Sequence, residues 1–295
     1  MSTAGTGNDP DYLGASAKAI QHHYDLGNEF YRLWLDPSLT YSCALWAGEH
    51  DTLEVAQLRK LDYLASGANA IGAGRVLDVG FGWGSMLRRL VDVHGVRHVT
   101  GLTLSAEQAK FVGESADHRY HLRLESWSDH VPEQPYDAIV SIGAMEHFAT
   151  MGMSREQRLE AYRRFFTCCR EWLRPGGRLG LQTIVRGHNL ELDWSIISEI
   201  VFLNRHIFRE SEVPWLSELC QASEGLMEVV TIRNDAGHYM RTCTSWLDSL
   251  TERRAEAVAM VGETAVQRYE RYLRASAEIF RRGNGGLARI VLQRV

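Results

Sequence analysis

The sequence predicts an α/β protein: a parallel sheet with helices on both faces, closed to seven strands, with a helical N-terminal segment and a helical cap. Three observations carry that prediction. Short apolar runs alternate with helical stretches through the middle of the chain, as strands buried on both faces do when helices cross between them. The first run, Val76-Leu77-Asp78-Val79, ends in an acid and passes straight into Gly80-Phe81-Gly82-Trp83-Gly84-Ser85, a strand handing over to a helix around a bound ligand. The 295 residues, 45% apolar and 23% charged, suit one large domain with a sizeable core.

Residues 1–16 are polar and read as a flexible start, lacking the basic opening and apolar core of a signal peptide. Residues 17–295 read as a single domain, in which about 17–70 form helices ahead of the first strand. Candidate strands follow at 75–79, 98–102, 120–124, 138–142 and 179–184, and two more near 227–232 and 288–293 close the sheet. Helices are expected at 85–94 and at 105–115, the latter opening on Ser105 as N-cap. A helix around 162–173 ends at the turn Arg174-Pro175-Gly176-Gly177-Arg178. About 187–222 then interrupts the alternation with Trp194, Ile197, Ile200, Phe202, Leu203, Ile207 and Phe208 at amphipathic spacing. Two readings fit this insertion: a helix packed on the core, or a lid over an apolar substrate. Its place beyond the carboxyl ends of the strands supports the lid.

Several function classes fall away. A formal charge of −5 leaves no basic excess for nucleic acid. No run of 18 apolar residues exists, so no integral membrane segment is expected. Five cysteines (Cys43, Cys168, Cys169, Cys220 and Cys243) are odd in number and lack C-x-x-C spacing, which suits reduced thiols and a cytoplasmic location. The glycine turn is G-x-G-x-G, neither the dinucleotide fingerprint nor a phosphate loop, and no Lys follows it. His22, His23 and Asp25 hint at a metal, but adjacent histidines point in different directions on a helix. Nothing in the sequence specifies an oligomeric state.

With its strand and turn, Asp78–Ser85 resembles motif I of the class I S-adenosylmethionine-dependent methyltransferases, whose fold is Rossmann-like. Further motifs narrow the match. Gln21-His22-His23-Tyr24-Asp25-Leu26-Gly27-Asn28-Glu29-Phe30-Tyr31, Leu33-Trp34-Leu35-Asp36-Pro37, Thr40-Tyr41-Ser42-Cys43-Ala44, Gly101-Leu102-Thr103-Leu104-Ser105 with Gln108, and Ser141–Phe148 resemble the cyclopropane fatty acid synthase family. That family includes the mycolic acid cyclopropane synthases.

The resemblance implies S-adenosylmethionine as methyl donor. Gly80 and Gly82 would let the backbone close on its amino-acid portion, with Asp78 fixing the turn. Thr103, Leu104 and Gln108 stand where many methyltransferases carry a ribose-binding acid. Trp127, followed by Ser128, would lie beside the adenine, with core packing as the alternative for the indole. Ile142 at the end of the fourth strand, and Tyr24 and Tyr41 from the N-terminal segment, complete the implied donor set. The family also holds a bicarbonate ion as base, and its ligands carry over to Cys43, Glu146, Gln182, Ile184 and Tyr239. Gln182 departs from the family's His-Thr-Ile. Its neutral amide can donate to an anion but cannot titrate as His does, so Glu146 or another group can serve as base directly.

Single residues weigh differently. Glu146 follows a buried strand, where an acid is costly unless used or paired. Cys43 has no nucleophile context and reads as a pocket-lining thiol. His147 reads as structural, and Tyr239 as catalytic or packed. The expectation is a C-methyltransferase acting on an unsaturated or aromatic carbon of a small apolar metabolite of specialised metabolism, through a cation-like intermediate. Its alternatives are a cyclopropane synthase or methyltransferase acting on unsaturated lipid acyl chains, an N-methyltransferase, and a donor-binding protein without catalysis. The substrate is free, carrier-bound or lipid-bound.

Overall fold

The computed structural model describes residues 14, 16, 26–114 and 118–295. All seven expected strands form: β1 Arg75–Val79, β2 His98–Thr103, β3 Tyr120–Leu124, β4 Tyr136–Ile142, β5 Leu173–Arg186, β6 Met227–Asn234 and β7 Gly285–Arg294. Their order in the sheet is β3-β2-β1-β4-β5-β7-β6. Strands β1 to β5 run parallel, and β7 runs antiparallel to both of its neighbours. The chain reverses its direction of travel across the sheet between β1 and β4. In an open α/β sheet that switch point leaves a crevice at the carboxyl ends of the strands. The glycine turn after β1 stands there.

The helices in chain order are α1 Asn28–Arg32, α2 Leu53–Gly67, α3 Ser85–Arg88, α4 Ala106–Gly113, α5 Arg155–Trp172, α6 Trp194–His206, α7 Leu216–Ser223, α8 Ala236–Glu252, α9 Arg254–Val261 and α10 Glu263–Arg281. The alternation of β1 sorts them into layers. Val76 packs with Leu61 and Leu64 of α2, Leu87 of α3 and Val112 of α4. Leu77 and Val79 face the opposite layer, with Phe165 and Phe166 of α5 and Leu219 of α7. A third cluster joins α1 and Trp34 to Trp246 of α8 and Tyr269 and Tyr272 of α10.

Local chemistry explains most boundaries. Ser105 Oγ accepts the Gln108 N–H, so α4 starts where its cap was expected. Helix α5 begins seven residues before the expected 162, on a capping box of Ser154 and Gln157. Strand β5 begins at Leu173, which pairs with Tyr136 before the register restarts at Arg178 opposite Ala138. The Arg174–Arg178 turn is therefore an irregularity inside the strand.

Two larger differences bear on function. The expected helices of 17–70 reduce, among the described residues, to α1 and α2 joined by irregular chain. A second helical unit, α8 to α10, fills the connection between β6 and β7, where the sequence reading placed no helix. Among the described residues no helix is long and apolar enough to cross a membrane.

Candidate active site

The crevice beyond β1 and β4 opens into two cavities. The first, about 130 Å³, is lined by Tyr41, Asp78, Gly80, Gly82, Thr103, Leu104, Gln108, Trp127 and Ile142, nine of the eleven expected donor residues. Gly80 holds φ at +86°, and a Cβ there would stand 2.9 Å from that of Ala144. Gly82, with φ +55°, faces open space, so its backbone is reachable by a ligand. Thr103 Oγ1 donates to Gln108 Oε1 at 3.0 Å, which leaves the Gln108 amide nitrogen for a guest. Trp127 is both wall and core: it lines the cavity while its ring sits 5.0 Å from that of Phe148 and 5.4 Å from that of Phe165.

Three donor expectations need correction or fall elsewhere. Asp78 does not fix the turn; the N–H groups of Gly80 and Phe81 do, by donating to the Leu102 carbonyl. The Asp78 carboxyl, 1% exposed, instead has an oxygen without a hydrogen-bond partner, and burial pushes its pKa up to about 7 against the pull of Lys60. Ser128 is absent from the cavity lining; its hydroxyl donates to Ser126 Oγ at 2.9 Å, and Glu125 and Ser126 line the cavity in its place. Tyr24, like His22 and His23, lies outside the described residues.

The second cavity, about 480 Å³, lies within the size range of small-molecule sites, roughly 300–1,000 Å³. It meets the first at Tyr41, Ser42, Gly143 and His147, which line both. Its walls are largely apolar: Leu190, Leu192, Ile200, Leu203 and Phe208 come from the insertion, and Tyr272, Ile279 and Phe280 from α10 and its margin. The insertion roofs the cavity, although Trp194, the first residue of α6, is 85% exposed.

All five residues carried over for the base, Cys43, Glu146, Gln182, Ile184 and Tyr239, line this second cavity. Glu146 Oε1 accepts the Ile184 N–H at 2.6 Å, while its buried Oε2 has no partner. Burial pushes the Glu146 pKa up to about 7, the Ile184 bond opposing it. The Tyr239 ring stacks on Phe280 at 4.5 Å, and burial raises its hydroxyl pKa well above the usual value, keeping it a neutral donor. Burial drives the Cys43 thiol to about 12, so it is no nucleophile. His147 shares a hydrogen bond with Ser211 Oγ at 2.8 Å, and burial pulls its pKa down to about 4, leaving a neutral imidazole.

Gln182 is engaged at both ends. Its Oε1 accepts from Arg289 Nε at 2.8 Å, and its Nε2 donates to the Cys43 carbonyl at 3.3 Å. Arg289, wholly buried on β7, also donates to the carbonyls of Cys43 and Ala44 and pairs with Asp235. Sequence reasoning missed this arginine and the buried Lys60. Both carried a legible signal: Arg289 interrupts the apolar run Leu287–Leu292, and Lys60 falls in the apolar stripe of α2 with Leu61 and Leu64.

A bicarbonate ion fits these residues poorly. The Ile184 N–H is taken by Glu146, the Gln182 oxygen by Arg289, and one Gln182 N–H by the Cys43 carbonyl. Of the five, Tyr239 and a single amide hydrogen remain to face an anion lying beside a carboxyl group. The arginine charge below is already balanced by Asp235.

The model of the mycolic acid cyclopropane synthetase family matches residues 13–290. Cyclopropane mycolic acid synthase 2 of Mycobacterium leprae is 34% identical over 280 residues, covering 90% of this chain and 89% of its own. Among solved structures, the cyclopropane synthase MmaA2 from Mycobacterium tuberculosis matches with a TM-score of 0.87 at 32% identity, over 96% of this chain and 99% of that one. The mycolic acid cyclopropane synthase CmaA1, complexed with SAH and CTAB, matches with a TM-score of 0.86 at 30% identity, again over 96% and 99%.

Proposed function

This chain belongs to the mycolic acid cyclopropane synthetase family, and we propose that it adds a methyl-derived carbon to the double bond of an unsaturated acyl chain, with Glu146 as the base. It is an enzyme, and its methyl donor is S-adenosylmethionine. The observation that carries the acceptor reading is an apolar cavity of about 480 Å³ that meets the donor cavity and is lined by Glu146, a buried acid with one oxygen left without a partner. CmaA1, the relative solved with SAH, was solved together with CTAB, a long-chain amphiphile, which supports an extended apolar acceptor here.

The residues divide the work. Gly80, Gly82, Gln108 and Trp127 would hold the donor, which supplies an electrophilic methyl group when bound. The apolar walls position the alkene and keep water from a cationic acceptor carbon. Phe208, Tyr239 and Tyr272 present aromatic rings, whose faces attract positive charge. Glu146, held by the Ile184 N–H, receives the proton on its free oxygen, and a pKa of about 7 suits proton transfer at neutral pH. Loss of that proton from the new methyl group closes a cyclopropane; loss from a neighbouring carbon leaves a methylated alkene.

The expectation of a small soluble metabolite rested on two features of the sequence, Gln182 in place of His and the absence of an obvious basic patch for docking on a membrane. Gln182 is tied into the floor with Arg289 and Cys43, so its change from His rewires the floor and says little about acceptor size. Methyl-labelled donor incubated with unsaturated phospholipid and with a cell extract tests the proposal. Label should enter the lipid phase, with the alkene lost where a cyclopropane closes and retained where a methylated alkene forms. Label confined to a water-soluble product would overturn the acyl-chain reading.

A further inference from the structure

Lys60 is a buried cation for which the reaction above has no use. It projects from α2 into the wall of the donor cavity, 0% exposed, and its ammonium donates to Ser42 Oγ at 2.8 Å. Among the described residues no carboxylate lies within ion-pair distance of it. Asp78 lines the same cavity, and its carboxyl, also buried, has an oxygen without a partner. One unpaired buried charge is expensive, and two of opposite sign in one cavity, not in contact, are a poor arrangement for stability alone. They suit a guest that carries both complementary charges a few bonds apart. The amino-acid tail of S-adenosylmethionine is such a zwitterion.

We propose that Lys60 receives the carboxylate of the donor's amino-acid tail, while Asp78 receives its ammonium. The inference rests on the donor reading of this cavity. It gives the buried Lys60 a binding role, and it gives one to Ser42, a residue that lines both cavities and whose hydroxyl accepts from the Lys60 ammonium.

The surroundings give the proposal a pH signature. Burial first, then the Arg289 charge from β7, pull the Lys60 pKa down to about 7, against Asp36 from the loop after α1, Cys43 and Asp78 from β1. A bound carboxylate favours the ammonium, so binding takes up a proton above pH 7 and weakens as the pH rises. Asp78 titrates over the same range, but its charge acts on the ligand's ammonium. Comparing two ligands that share the amine therefore isolates Lys60.

Calorimetry with three ligands tests this without turnover: S-adenosylhomocysteine, its decarboxylated analogue S-adenosyl-3-thiopropylamine, and methylthioadenosine, which has no amino-acid tail. Lys60→Met should weaken S-adenosylhomocysteine by roughly 10–100-fold, the worth of a charge-assisted hydrogen bond, and barely change the other two. Equal losses for S-adenosylhomocysteine and the decarboxylated analogue would overturn the assignment. The unmodified protein gives an independent arm: it should prefer S-adenosylhomocysteine to the analogue at pH 6 and lose much of that preference at pH 9. A preference that is absent at pH 6, or identical at both pH values, would overturn it even if the variant does not fold. Failure of the unmodified protein to bind S-adenosylhomocysteine at all would instead sink the donor reading of the cavity.

Discussion

Replacing Glu146 by Gln should make the protein more stable and nearly inactive at once, with both effects following from one buried carboxyl. Gln keeps the shape and still accepts the Ile184 N–H, but it cannot take a proton. General-base catalysis contributes about 10²–10⁴-fold, so kcat should fall by that order. Affinity for S-adenosylhomocysteine should hold, because Glu146 does not line the donor cavity. The stability effect has a definite sign. Burial lifts the Glu146 pKa from 4.5 to about 7, so between those values the folded state keeps a proton that the unfolded chain has lost. Stability therefore falls as pH rises through that window. At about 1.4 kcal/mol per pH unit, the loss comes to roughly 3 kcal/mol. The Gln variant is spared it. Urea unfolding of both proteins at pH 4.5 and pH 8 should show similar stabilities at the lower pH, with the variant ahead by about 1–3 kcal/mol at the higher. The kcat of the unmodified protein should rise with pH through about 7 as the carboxylate forms. A kcat loss below tenfold, or a stability difference that does not grow with pH, would refute the assignment of Glu146 as a buried base.

Two further outcomes follow from the floor of the site. Strict depletion of dissolved CO₂ and bicarbonate should leave turnover unchanged, because the donors an anion would need are already engaged. A fall that is rescued by added bicarbonate would restore the ion as base. Arg289→Met should cost about 2–3 kcal/mol in urea unfolding, less than the ~3–5 of a fully orphaned buried charge, because Arg233 Nε still reaches Asp235 at 2.7 Å. A cost below about 1 kcal/mol, in the range of an exposed pair, would show that the Arg289 network is not the structural floor described above.

Much of the fold was legible because its signals are local. Strands buried on both faces must be short apolar runs, so β1, β2 and β4 announced themselves, while β3, a largely exposed edge strand, like β1 began and ended at the expected residues. Ser105 capped α4 because a hydroxyl at that position satisfies an otherwise orphaned N–H. The helices α8 to α10 escaped notice even though Val266, Tyr269, Tyr272, Leu273, Ser276 and Phe280 form one buried face of α10. Their aromatic faces became intelligible only against Trp34 and the other N-terminal residues, more than 200 positions away in the chain. Ser128 was misplaced for a related reason. Neighbours in a short turn point in different directions, and only the turn's geometry showed that Ser126, not Ser128, faces the cavity.

By itself the sequence determined the sheet, the glycine turn at its switch point, and the residue types that surround the two cavities. Those features depend on periodicity, backbone freedom at Gly80 and Gly82, and motifs that lie contiguously in the chain. The tertiary structure decided which of those residues are available. Whether Gln182 meets a ligand or a buried arginine depends on β7, 107 positions away in the chain, and whether Ile184 donates to an anion or to Glu146 depends on the path of the loop after β4. A hydrogen-bonding group has few valences, and which partner fills them is a fact of three-dimensional packing that no spacing in a sequence records.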